Sequence, residues 1–137
     1  MNEIIKNEIK SINSKDLDLL KSKLLRDNKV LVVELAGDKI QSWVDYVSEV
    51  QSKFSFPTPC TDSVDRYLDW IRDLEWLEQE KVVMIINHFS DFCKENPSMK
   101  NEIMQDFEET ILPFWQDEVR EEVAGGEPRS FMVYIVD

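Results

Sequence analysis

Asp65, Asp69 and Asp73 recur at four-residue steps within a stretch whose Val64, Leu68, Ile71 and Leu74 repeat at helical spacing. On a helix spanning about residues 62–80, with Thr61 or Asp62 as N-cap, the three carboxylates line one face. Repulsion between like charges one turn apart costs such a helix about 0.2–0.5 kcal/mol per pair, and the positive N-terminal end offsets part of this for Asp62 and Asp65. A cationic protein partner would offset the rest. A face merely solvated and relieved by Arg66 and Arg72 is the commoner meaning of this pattern. Trp70 falls between Asp69 and Asp73 and off the Val64, Leu68, Ile71 stripe, so it serves either the core, with Tyr67 and Trp76, or an interface as an anchor. The candidate partner-binding set is Pro59, Thr61, Asp62, Asp65, Arg66, Asp69, Trp70 and Asp73.

Catalytic chemistry finds less support. His88 is the sole histidine and directly follows an apolar run, where the carboxyl end of a parallel strand can host a general base; a hydrogen-bonded strand-end histidine is the commoner outcome. Cys60 and Cys93 form no CxxC pair and read as reduced core thiols. The three glycines build neither GxGxxG nor a phosphate loop, and no His pair or DxDxDG loop supports a metal. No catalytic residue, cofactor or metal site is therefore expected, and a hydrolase using His88 is the weaker alternative.

The charge balance points the same way. Sixteen basic against 28 acidic side chains give a formal net charge of -12 over 137 residues. That field disfavours nucleic acid and anionic membrane and suits a basic protein, although acidity also serves plain solubility. No small-molecule substrate is indicated. Glu3, Lys6, Glu8 and Lys10 interrupt the first twelve residues, leaving no apolar signal core, and no other segment is long and apolar enough to span a membrane. A cytoplasmic protein is expected.

These side chains need a scaffold. Three near-continuous apolar runs, residues 30–35, 82–86 and 131–136, read as strands covered on both faces, with helical intervals long enough for crossovers. The expected fold is α/β, a three-stranded parallel sheet flanked by helices, in one domain over residues 1–137. Residues 1–28 form a helical arm, in which Leu17, Leu20, Leu24 and Leu25 follow Ser14 to Asp16, and Ile4, Ile5, Ile9 and Ile12 suggest an earlier turn; residues 29–137 form the core. Ile40, Trp43, Val44, Val47 and Val50 mark the first core helix, Pro57 and Pro59 force a loop, and a helix over about 98–122 is kinked or divided at Pro113.

From the first apolar run onward this order resembles the barstar family of ribonuclease inhibitors. The resemblance rests on a helix over 40–56, the loop proline Pro57, the D-x-x-x-D pair Asp65 and Asp69 in Asp65-Arg66-Tyr67-Leu68-Asp69-Trp70, the run 82–86 followed by Asn87-His88-Phe89, and the apolar run from Phe131. It implies that the loop and following helix plug a nuclease active site, with Asp65 and Asp69 standing where substrate phosphates would lie. The chain departs from the family at Thr58-Pro59-Cys60-Thr61, where aromatic and glycine positions are usual, and at Leu68, where tryptophan is common. An immunity protein against a contact-delivered or polymorphic toxin nuclease is the expectation, with an adaptor for another basic partner as the alternative.

Overall fold

The structure is a computed structural model and describes residues 7–24, 26, 27, 29–77, 79, 81–115 and 130–137. Its frame is a parallel sheet of β1 (Ile9–Ile12), β2 (Val30–Ala36), β3 (Lys81–Asn87) and β4 (Ser130–Val136), in the order β1-β4-β3-β2. Helix α1 (Ser14–Leu24) joins the first two strands; α2 (Trp43–Lys53) and α3 (Val64–Asp73) lie between β2 and β3; α4 (Pro97–Asp106) follows β3.

The three expected strands are present, in parallel register with Leu31 opposite Val82 and Met84 opposite Val133. Alternation sends Val33, Leu35, Val82, Met84, Ile86, Phe131 and Val133 into the main core beneath α2, α3 and α4. Val83, Ile85 and Val136 point to the opposite face, where they meet Leu17 of α1. Both faces of β3 are thus covered, which is why all of Val82 to Ile86 are apolar and buried.

The sheet has four strands rather than three, and the N-terminal arm is not wholly helical. Ile9 and Ile12, three residues apart, would share a helix face; here Ile9 packs on the main core and Ile12 on the opposite cluster, as an extended segment requires. Pairing along β4, with Ile9 beside Val133 and Ile12 beside Val136, satisfies edge groups of β4 that would otherwise stay open. Ile4 and Ile5 lie outside the described residues. The helix expected to open at Ser14 to Asp16 is observed over Ser14–Leu24, its first turn closed by Asn13 Oδ1 accepting from Asp16 N at 2.8 Å; Leu25 lies outside the described residues.

Other boundaries shift for identifiable reasons. Gly37 opens a tight turn in which a Cβ would lie 2.3 Å from Asn87 O, so the chain reaches Ile40 before α2 can start. Ser42 caps α2 by accepting from Asp45 N. Val44 is exposed, and Tyr46 takes the core position instead. Ahead of Pro113, Phe107–Ile111 form a widened π turn, with Leu112 N bonded to Phe107 O; it relieves the clash a proline ring makes with the preceding turn of a regular helix. The expected continuation through 116–122 lies outside the described residues.

Glu34 joins the arm to the sheet: Lys21 Nζ lies 2.8 Å from one carboxylate oxygen and Asn87 Nδ2 donates to the other at 2.6 Å. The Lys21 hydrogen bond, outweighing partial burial and aided by Asn87, holds the Glu34 carboxyl below its ordinary 4.5. A carboxylate depressed in the folded state contributes stability above its unfolded pKa and loses it as pH falls through the folded one. Glu34→Gln should therefore destabilise at neutral pH in urea melts, with the difference from the parent shrinking as pH falls below 4.5. Leu17→Ala, which empties the centre of the second cluster, should cost about 2–4 kcal/mol in the same melts, a loss expected only if α1 packs on the sheet.

Candidate protein interface

Helix α3 begins one or two residues later than its sequence suggests because Ser63, not Thr61 or Asp62, is the N-cap: its hydroxyl accepts from Arg66 N at 3.1 Å. It ends at Asp73, well short of residue 80. Leu74 turns into the left-handed region at φ 48° with its side chain fully buried, and Trp76 folds back to donate Nε1 to Phe54 O at 2.8 Å. Anchoring of Leu74 and Trp76 outweighs the cost of a non-glycine residue in that conformation. Tyr67 and Ile71 are the buried members of the helix, while Leu68, expected to be buried, is half-buried.

The outer face carries the acids. Asp65 and Asp69 are exposed and successive along it, and Asp62 is exposed in the turn ahead of Ser63. Asp65 makes no ion pair among the described residues. Asp69 accepts from Arg72 Nη2 at 2.9 Å yet keeps 71% of its side chain in solvent. Arg72 is held from behind, its Nε donating to Leu68 O and its guanidinium 5.5 Å from the Phe114 ring centre. Asp73 is half-buried at the far end of the helix, where its Oδ1 accepts from Glu75 N, so the three-aspartate stripe divides into an exposed pair and an inner terminus.

Arg66 and Trp70 turn toward the loop. Arg66 Nη1 donates to Pro59 O at 2.9 Å and to Asp62 Oδ1 at 3.1 Å. Trp70 is half-buried, edge-on to Trp76 with ring centres 5.4 Å apart, and its Nε1 donates to Thr58 Oγ1 at 2.8 Å. It therefore serves both the core and the loop. Pro57, Thr58 and Pro59 form the exposed tip, and Thr61 is half-buried behind it.

Below this surface, the hydroxyls of Tyr46 and Tyr67 bond at 2.6 Å, and burial pushes both phenols above their ordinary range. Asp106 of α4 adds a negative charge near the pair. Burial, then repulsion from Glu102 and Glu109, raises the Asp106 carboxyl itself. The chain beyond α4 packs on α3, with Trp115 Nε1 donating to Ile71 O at 3.1 Å. Glu102 and Asp106 of α4, with Glu109 of the π turn, are thus a second negative group that the sequence reading missed, although their i, i+4, i+7 spacing signals it. The alternative acidic surface at 117–122 lies outside the described residues.

His88 is exposed, left-handed at φ 50°, and follows β3 as expected; it makes no side-chain hydrogen bond among the described residues. The nearby Asp137 carboxyl accepts from Ser90 N at 2.8 Å, and that bond, with smaller help from Lys100 and His88, lowers its pKa. Cys60 and Cys93 are free and buried, and burial pushes both thiols up, away from the reactive thiolate. Among the described residues no group of three metal-ligating side chains occurs, and no helix is long and apolar enough to cross a membrane.

A parallel α/β sheet thus carries a carboxylate-faced helix beside a proline-tipped loop. Residues 30–133 match the family model of barstar, described as the barnase inhibitor, and the chain belongs to the barstar family. The matched span runs from β2 into β4 and leaves out β1 and α1. No curated protein matches the chain.

The raised Asp106 carboxyl gives a test of the field behind α3. A carboxyl whose folded pKa lies above its unfolded value opposes folding once pH rises past the unfolded pKa. Asp106→Asn should raise the denaturation midpoint at pH 7, and the gain should disappear when pH falls well below 3.8.

Proposed function

We propose that this protein is a cytoplasmic immunity protein that neutralises a basic toxin nuclease, most simply a ribonuclease, by laying α3 and the loop before it over the active site. The observation that carries the reading is the exposed pair Asp65 and Asp69, successive on the outer face of α3 in a chain of the barstar family. A nuclease active site gathers cations to hold phosphates, and two carboxylates presented on a rigid helix offer those cations a competing ligand set. Asp65, with no ion pair among the described residues, meets the partner without breaking an internal contact; Asp69 exchanges or shares Arg72. The net charge of -12 speeds encounter with a basic surface and makes the association salt-dependent.

Close charge pairs across such interfaces couple by about 1.5–7 kcal/mol, so Asp65→Ala and Asp69→Ala should each weaken the complex at least about tenfold, or about 1.4 kcal/mol. The measurement is calorimetric titration against a panel of catalytically inactivated basic ribonuclease domains, barnase among them, with denaturant melts alongside. Stability should change by less than about 0.5 kcal/mol, because both side chains lie in solvent. Full affinity in the double variant, with the fold intact, would place the interface elsewhere; failure of the parent to bind or inhibit any basic nuclease would end the reading.

A further inference from the structure

Three side chains from two helices converge on the short loop between α2 and α3, and each bonds a different residue of it. From α2, the half-buried Gln51 accepts the Cys60 amide at Oε1, 2.9 Å away. From α3, Arg66 donates to Pro59 O at 2.9 Å, and Trp70 donates to Thr58 Oγ1 at 2.8 Å. Three successive loop residues are thereby fixed, while their neighbour Pro57 has a restricted backbone of its own. Cys60 adds a buried side chain that pins the base of the loop, whereas Pro57, Thr58 and Pro59 remain in solvent. The scaffold thus holds rigid an exposed tip whose outward side chains contribute little to the core. Arg66 stays exposed, but its guanidinium is used on the loop and on Asp62 rather than on Asp65.

We infer that Gln51, Arg66 and Trp70 are positioning residues that preorganise residues 57–60 as a docking element, so that partner affinity depends on bonds made within this chain. This deepens the inhibitor reading and rests on it. A loop held in its bound shape loses little freedom on association; one released to sample several shapes binds with its affinity divided by the fraction still competent.

Gln51 gives the cleanest test, because it lies on α2, away from the carboxylate face. Gln51→Leu removes the acceptor and Gln51→Glu keeps one. In amide exchange of the free full-length protein, the Cys60 amide should exchange roughly tenfold faster in Gln51→Leu, with β3 amides unchanged, and Gln51→Glu should restore its protection. Titrated into whichever inactivated ribonuclease domain binds the parent most tightly, Gln51→Leu should show a dissociation constant raised about three- to tenfold, with Gln51→Glu near the parent. A Cys60 amide indifferent to Gln51→Leu, or a released amide with unchanged affinity, overturns the inference. Were Gln51→Leu to lower global stability, Trp70→Phe, which keeps the ring and removes only the indole donor to the Thr58 hydroxyl, should raise the dissociation constant by the same factor with the β3 amides still protected, and unchanged affinity there would overturn the inference. Loss of binding in the Asp65 and Asp69 variants alongside full binding in Gln51→Leu would defeat the positioning role alone; absence of binding by the parent would defeat the inhibitor reading itself.

Discussion

Five consecutive apolar side chains of β3, Val82 to Ile86, are buried on both faces of the sheet, and the rest of the molecule is arranged around that strand. Because side chains alternate, burying all five demands two covers and two flanking strands. The main core supplies one cover through α2, α3 and α4, and α1 supplies the other. Parallel pairing with β2 and β4 satisfies the backbone that so apolar a strand cannot expose to water. A one-residue slip in either register would turn the apolar sets of β2 and β4 to the wrong faces, so the burial of β3 fixes its neighbours.

The position of the acidic helix follows from that packing. Tyr67, Ile71 and Leu74 enter the core, the Tyr46 and Tyr67 hydroxyls satisfy each other there, and Trp115 reaches Ile71 O from the chain beyond α4. With those contacts set, α3 cannot rotate, and Asp65 and Asp69 are left outward at fixed height. Arg72, packed on Phe114, orients Asp69, while Arg66 is drawn to the loop. The two arginines that would otherwise neutralise the stripe are therefore positioned by neighbours, and neither pairs with Asp65. The field at the surface is a consequence of tertiary packing as much as of composition.

The N-terminal unit stands apart from this logic. It lies outside the span that matches the barstar family, yet it adds a fourth strand beside β4 and covers the second sheet face. Lys21 and Glu34 tie it to β2 on the side of the sheet away from the main core. Its hydrophobic cluster is smaller than the main one, and Leu19 projects into solvent from α1. An addition of this kind extends a sheet and shields its second face, and it meets the core that positions α3 through Ile9.

The amino-acid sequence alone determined the three core strands, because apolar runs bounded by turns admit few other readings, and it determined that Asp65 and Asp69 share a helix face, because that follows from helical period. It also carried the family resemblance, through the spacing of Pro57, Asp65 and Asp69. Residues 9–12 were not legible as a strand, since four residues with two isoleucines have no period of their own and only the open edge of β4 selects the extended form. The end of α3 was equally hidden: nothing local stops the helix at Asp73, and burial of Leu74 with the Trp76 bond to Phe54 decides it. Which charges face outward was settled last, because Arg66, Arg72 and Trp70 are flexible or ambivalent side chains whose direction depends on Pro59, Phe114 and Thr58, partners 7, 42 and 12 residues away that only the folded chain brings within reach.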